Sequence, residues 1–156
     1  MSMIGFAAWA FAAGALIPLM AVLNAGLARG VGGFVQATVL LFAVGLLASL
    51  ALAVAVSARV PGVATLVSIA PRQYAGGLIV AFYVVSITFL APRIGVGSAI
   101  MLAVTAQLLT SAVIDHYALA GAALRPLTLI RGVGLVIVVI GVVISQAGDR
   151  IFGLAR

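Results

Sequence analysis

The sequence predicts an all-α, polytopic membrane protein with five transmembrane helices. Of the 156 residues, 66% are hydrophobic and 6% charged, against about 25% charged in ordinary soluble domains. The apolar residues fall into five runs of roughly 18–25, the length that crosses a bilayer as a helix. The mean hydropathy of +1.43 agrees. No ten-residue segments of alternating polarity occur, which excludes an outer-membrane barrel.

The first span is expected over residues 4–28. It lacks the charged start of a signal peptide and is too long for a signal-peptide core, so it is expected to stay in the mature protein. Pro18 removes a backbone donor and is expected to kink the helix, freeing the carbonyl near Gly14. Asn24 is an amide in an apolar run, open to two readings: an interhelical hydrogen bond or a ligand contact. The glycine-rich turn from Arg29 to Gly33 returns the chain antiparallel into a second span, residues 34–56. Gly45 and Ser49 form a small-xxx-small pair expected to serve core packing. Gln36 and Thr38 lie near the membrane interface, where water is expected to satisfy them.

Between Ser57 and Gln73 apolar density falls and Pro61 and Pro71 bracket the longest loop, with room for a short interfacial helix from Gly62 to Ile69. The third span, residues 74–91, holds Tyr83 deep in the apolar run, away from the aromatic belt, so its hydroxyl needs a protein, water or ligand partner. Pro92-Arg93 is expected to turn the chain into the fourth span, residues 96–116. After the connection from Gly121 to Pro126, the fifth covers residues 129–146. No internal repeat and no linker long enough to separate domains is visible, so residues 1–156 read as a single membrane domain.

The fourth span is the one around which the others are organised. At about 100° per residue, Gln107, Ser111 and Asp115 share one helical face, drifting by only about 40° per step. An amide, a hydroxyl and a carboxylate in line are expected to look at protein or water rather than at acyl chains. Asp115 ends the helix, where the macrodipole disfavours a negative charge. Arg131, at the start of the fifth span, is its expected partner, with Arg125 the alternative and His116 free to bond a carbonyl of the loop. Asp115, His116 and Arg131 thus read as a structural polar lock, against the rival reading of a proton relay.

All eight basic residues are arginines and the only acids are Asp115 and Asp149, for a net charge of +6. The arginines are scattered one or two per loop, which suits topology and lipid headgroups rather than nucleic acid. Five spans divide them evenly, with Arg59, Arg72, Arg125 and Arg131 on one face and Arg29, Arg93, Arg150 and Arg156 on the other. This balance points to insertion in both orientations, the rival being one orientation set by a partner or a local charge. An antiparallel homodimer would supply ten helices with inverted symmetry. Gly134, Gly141, Ser145 and Gly148 line one side of the fifth span and could form its seam, or could serve intrachain packing.

The run Gly14-Ala-Leu-Ile-Pro18, Asn24, Gly76-Gly77, Phe82-Tyr83-Val84, Ala91-Pro92-Arg93-Ile94-Gly95, Gln107-Leu-Leu-Thr-Ser111, Asp115-His116-Tyr117, Arg131 and Gly141-Val142 resembles the five-helix YdcZ-type branch of the drug/metabolite transporter superfamily. It covers nearly the whole chain. The chain departs from the pattern at Met20, where such proteins often carry glutamine, and at Val80, where a further glycine is usual. The spacing of Gly134 and Gly141 is also similar to the dimer seam of the small multidrug resistance proteins. The membrane-embedded glutamate of that branch is absent here, so proton-coupled exchange of cationic drugs does not carry over.

The resemblance implies a small secondary transporter, multi-pass in the bacterial inner membrane, that pairs with itself or with a closely related paralogue. Asn24, Tyr83, Gln107 and Ser111 are its candidate substrate contacts, and amides and hydroxyls without a midplane carboxylate favour a neutral or zwitterionic small molecule. The rival class is a non-transporting scaffold or accessory subunit. A channel is disfavoured for want of a charge ring or carbonyl filter. With no cysteine, one His and two Asp, no metal, cofactor or enzymatic activity is expected.

Overall fold

The computed structural model describes residues 2–59 and 61–151, the last four of these by backbone alone. Six α-helices are present among the described residues: α1 (Met3–Val31), α2 (Phe34–Ala55), α3 (Val63–Ser68), α4 (Ala75–Ile94), α5 (Val96–Tyr117) and α6 (Leu129–Ile151). Five of them are long and apolar enough to cross a membrane, and α3 is the short one. The chain divides into two compact units at Val96/Gly97.

In the first unit α1 packs against both α2 and α4, and α2 against α4. Small side chains make this contact. Ala21, Asn24 and Ala25 of α1, Ala37 and Thr38 of α2, and Val84, Ile87, Thr88 and Ala91 of α4 are the buried residues. On α1 and α4 they recur at three- and four-residue spacings as one stripe down each helix, on α2 they are the adjacent pair Ala37 and Thr38, and small residues let backbones approach where lipid offers no hydrophobic drive for association. Phe6, Trp9 and Phe11 stand out from α1, the expected place for bulky apolar groups that face acyl chains. The hydroxyl of Thr38 is not left to water. It is buried and donates to the Phe34 carbonyl at 2.8 Å.

The ends of α1 follow from local chemistry. Ser2 caps its start, its hydroxyl accepting from the Gly5 amide at 3.3 Å. At its other end Gly32 takes φ 81°, a left-handed conformation that glycine adopts without a Cβ penalty, and the Gly32 and Gly33 amides close on the Ala28 carbonyl. The helix runs unbroken across Pro18. Tyr74 pins α3 to the start of α4 by donating its hydroxyl to the Leu66 carbonyl at 2.8 Å.

Two expectations are corrected here. The turn after α4 is not at Pro92-Arg93: the helix continues through both to Ile94 and breaks at Gly95, with φ 85°. A proline in a last helical turn removes one backbone donor without ending the helix, whereas a positive φ ends it. The Gly45–Ser49 pair does not pack in the core either. A Cβ at Gly45 would meet nothing within 4 Å, and Ser49 turns its hydroxyl back to the Gly45 carbonyl at 2.8 Å.

In the second unit α5 and α6 are joined by a connection that passes through Ala118 and Ala120, both at positive φ. Among the described residues no Cα atom of α5 lies within 8 Å of one of α6. Side chains span the gap: Met101 Sδ lies 3.7 Å from Ser145 Oγ and 3.8 Å from Gln146 Nε2.

Candidate functional site

In the first unit Asn24 is the polar centre. It is 2% exposed, and its Nδ2 donates to Thr88 Oγ1 at 2.5 Å, while the Thr88 hydroxyl donates onward to the Val84 carbonyl at 2.7 Å. One helical residue on α1 is thereby tied to α4. The other half of the Asn24 amide is unmatched: Oδ1 is buried and accepts no hydrogen bond among the described residues. A buried unsatisfied polar atom is disfavoured by about 1–3 kcal/mol. Asn24 also lines a groove of about 560 Å³ between α1 and α2, walled by Leu23, Leu27, Leu40, Leu41 and Val44. Tyr83 is half-buried on α4, beside Val84.

In the second unit Gln107 and Ser111 are exposed on α5. The Ser111 hydroxyl donates to the Leu108 carbonyl at 2.9 Å, so its proton is used within its own helix and only its lone pairs are open. One turn on, Arg131 Nη2 donates to Asp115 Oδ2 at 2.7 Å, and Arg131 Nη1 donates to the Arg125 carbonyl at 3.1 Å. Arg125 joins through its backbone: its amide donates to the Asp115 carbonyl at 2.9 Å. His116 does not bond a loop carbonyl. Its Nδ1 accepts from the Leu127 amide at 2.9 Å. Asp115 thus meets Arg131, while His116 and Leu127 line a cavity of about 320 Å³ with Leu109, Ala112 and Leu135.

A Cβ built on Gly134 or Gly141 would meet nothing within 4 Å among the described residues of the second unit. Ser145 is exposed beside Met101. Of the other residues in the arginine balance and the glycine line, Gly148 contributes backbone alone, the Arg150 side chain lies outside the described residues, and so does Arg156.

Thr88 is the residue that sequence reasoning missed. A lone threonine in an apolar run ordinarily bonds its own i−4 carbonyl, as Thr88 does, and no local signal marks it as a partner for an amide 64 residues away.

Five apolar spans, with polar groups bonded inside each unit, define a polytopic integral membrane protein. A family model described as "Putative inner membrane exporter, YdcZ" matches residues 5–144, and the chain belongs to this family. It is therefore a multi-pass inner-membrane protein with a transporter-type role, and exporters are not a class of enzyme. No curated protein and no solved structure matches it.

Proposed function

We propose that the chain is a small secondary transporter of the drug/metabolite transporter type that moves a neutral or zwitterionic small metabolite, and that Asn24 is its principal substrate contact. The observation that carries this is the Asn24 side chain: its amide nitrogen is used by Thr88, its Oδ1 is left unmatched, and it lines an uncharged groove. An acceptor in apolar surroundings gains most from a ligand that brings an N–H or O–H donor on an apolar body. Tyr83 in the same unit, and Gln107 and Ser111 in the other, are the further polar groups offered to substrate.

The working form is an antiparallel homodimer, or a pair with a close paralogue, in contact through Gly134, Gly141 and Ser145. Support comes from the open space in front of both glycines, which a second backbone can fill. Arginines at the helix ends meet lipid headgroups.

The Asn24–Thr88 bond also favours a second reading, a non-transporting scaffold in which such bonds only hold helices together. A cysteine placed at Gln107 in this cysteine-free chain separates the two. Water-soluble thiol reagents label it from one or both sides in a transporter, while resistance to labelling, with no flux of a metabolite panel in proteoliposomes, supports the scaffold.

A further inference from the structure

The first unit contains no carboxylate: residues 1–96 carry four arginines and no acid. Two of those arginines converge. Arg29, in the last turn of α1, and Arg93, in the last turn of α4, line one cavity of about 330 Å³ together with Gly32, Gly33, Phe34 and Thr88. Arg93 is held in place, its guanidinium 3.5 Å from the centre of the Phe89 ring and bonded to the Phe89 carbonyl. That ring in turn meets Phe34, the first residue of α2, edge-on at 5.0 Å. The cavity therefore also receives the start of α2, whose cap residue Gly33 supplies no side-chain bond to the free amides.

Each arginine ends a helix, and a cation there complements the macrodipole. Magnitudes decide whether that suffices. Two helix C-termini contribute roughly −0.5 each and the α2 N-terminus roughly +0.5, against two whole positive charges. A surplus of roughly +1.5 remains in a cavity bounded on one side by apolar spans. We propose that this cavity binds an anionic phosphate group, held between Arg29 and Arg93 and against the start of α2. Its place at the ends of membrane-spanning helices is where a phospholipid headgroup lies, and a soluble phosphate shares the same chemistry.

The test uses the full chain in nanodiscs of mixed phosphatidylglycerol and phosphatidylcholine, with co-released lipid counted by native mass spectrometry. The Arg29→Gln/Arg93→Gln double variant is expected to retain phosphatidylglycerol roughly 25-fold less well, about fivefold for each arginine. Arg59→Gln/Arg72→Gln, which removes the same charge elsewhere in the unit, is expected to lose markedly less. A second arm titrates inorganic phosphate against chloride at constant ionic strength in neutral detergent and reads thermal stability. An Arg29/Arg93-dependent response in the first arm alone makes the ligand a lipid headgroup, and one in the second makes it a soluble phosphate. No dependence in either arm, or equal loss in the Arg59/Arg72 variant, overturns the site. If the glutamine double variant does not fold, Arg29→Lys/Arg93→Lys decides: retention near the parent's supports the site, and retention at the background of neutral lipid overturns it. Solute transport is no part of the readout, so this proposal and the transporter reading stand or fall separately.

Discussion

Asp115 and Arg131 meet at 2.7 Å across the connection between α5 and α6, each at a helix end that disfavours its own charge. The carboxylate sits at the C-terminal end of α5 and the guanidinium in the first turn of α6, misplacements of about 0.3–1 kcal/mol apiece. The pair is neutral as a unit, and each member offsets the other's misplacement. Because the two side chains remain 30–39% exposed, the attraction itself is worth only about 0.2–1 kcal/mol.

Asp115→Asn is accordingly expected to lower the yield of folded protein, and Asp115→Asn/Arg131→Gln to recover it, in fluorescence-detected size exclusion after graded heating. A double variant no better than the single one removes the lock. A normal protein level with abolished pH dependence of transport in Asp115→Asn makes the pair a coupling site instead.

His116 accepts at Nδ1 from the Leu127 amide, so the ring nitrogen is the acceptor that holds the loop. His116→Asn, whose oxygen stands near the Nδ1 position, should keep the Leu127 amide protected from hydrogen exchange, and His116→Gln should lose that protection. Equal protection in both variants means that the ring nitrogen does not hold the loop.

Thr88→Val removes the partner of Asn24 Nδ2. That leaves a second buried atom of Asn24 unpaired, so thermal stability should fall by about 1–3 kcal/mol. Asn24→Leu also removes the unmatched Oδ1 and should be close to neutral for stability while abolishing flux. Flux unchanged in folded Asn24→Leu protein takes Asn24 out of the substrate path.

Gly134→Leu and Gly141→Leu should leave the monomer's thermal stability within about 0.5 kcal/mol of the parent, because a Cβ at either position meets nothing within 4 Å among the described residues of its unit. Cross-linking between two copies should nevertheless fall in both. Undiminished cross-linking moves the seam elsewhere.

Reporter fusions at the C-terminus should be active on both sides of the membrane, and two lysines added to one loop should bias them to one side. Activity on one side only in the unmodified chain rules out dual insertion.

The sequence by itself determined the helical membrane class and the five spans. Hydropathy sums residue by residue along the chain, and in lipid a span of that length satisfies its backbone only as a helix. Asp115 and Arg131 could be matched from sequence because both border one short connection, where reach and charge leave few partners. The tertiary structure alone decided which face of each span turns inward. The first two spans are apolar nearly all round, so no amphipathic stripe betrays their rotation. Three outcomes depend on that rotation: Thr88 meets Asn24, Gly45 looks outward, and Arg29 shares a cavity with Arg93. Small residues pack wherever backbones can approach, and that approach is a property of whole helices, which no local window of sequence contains.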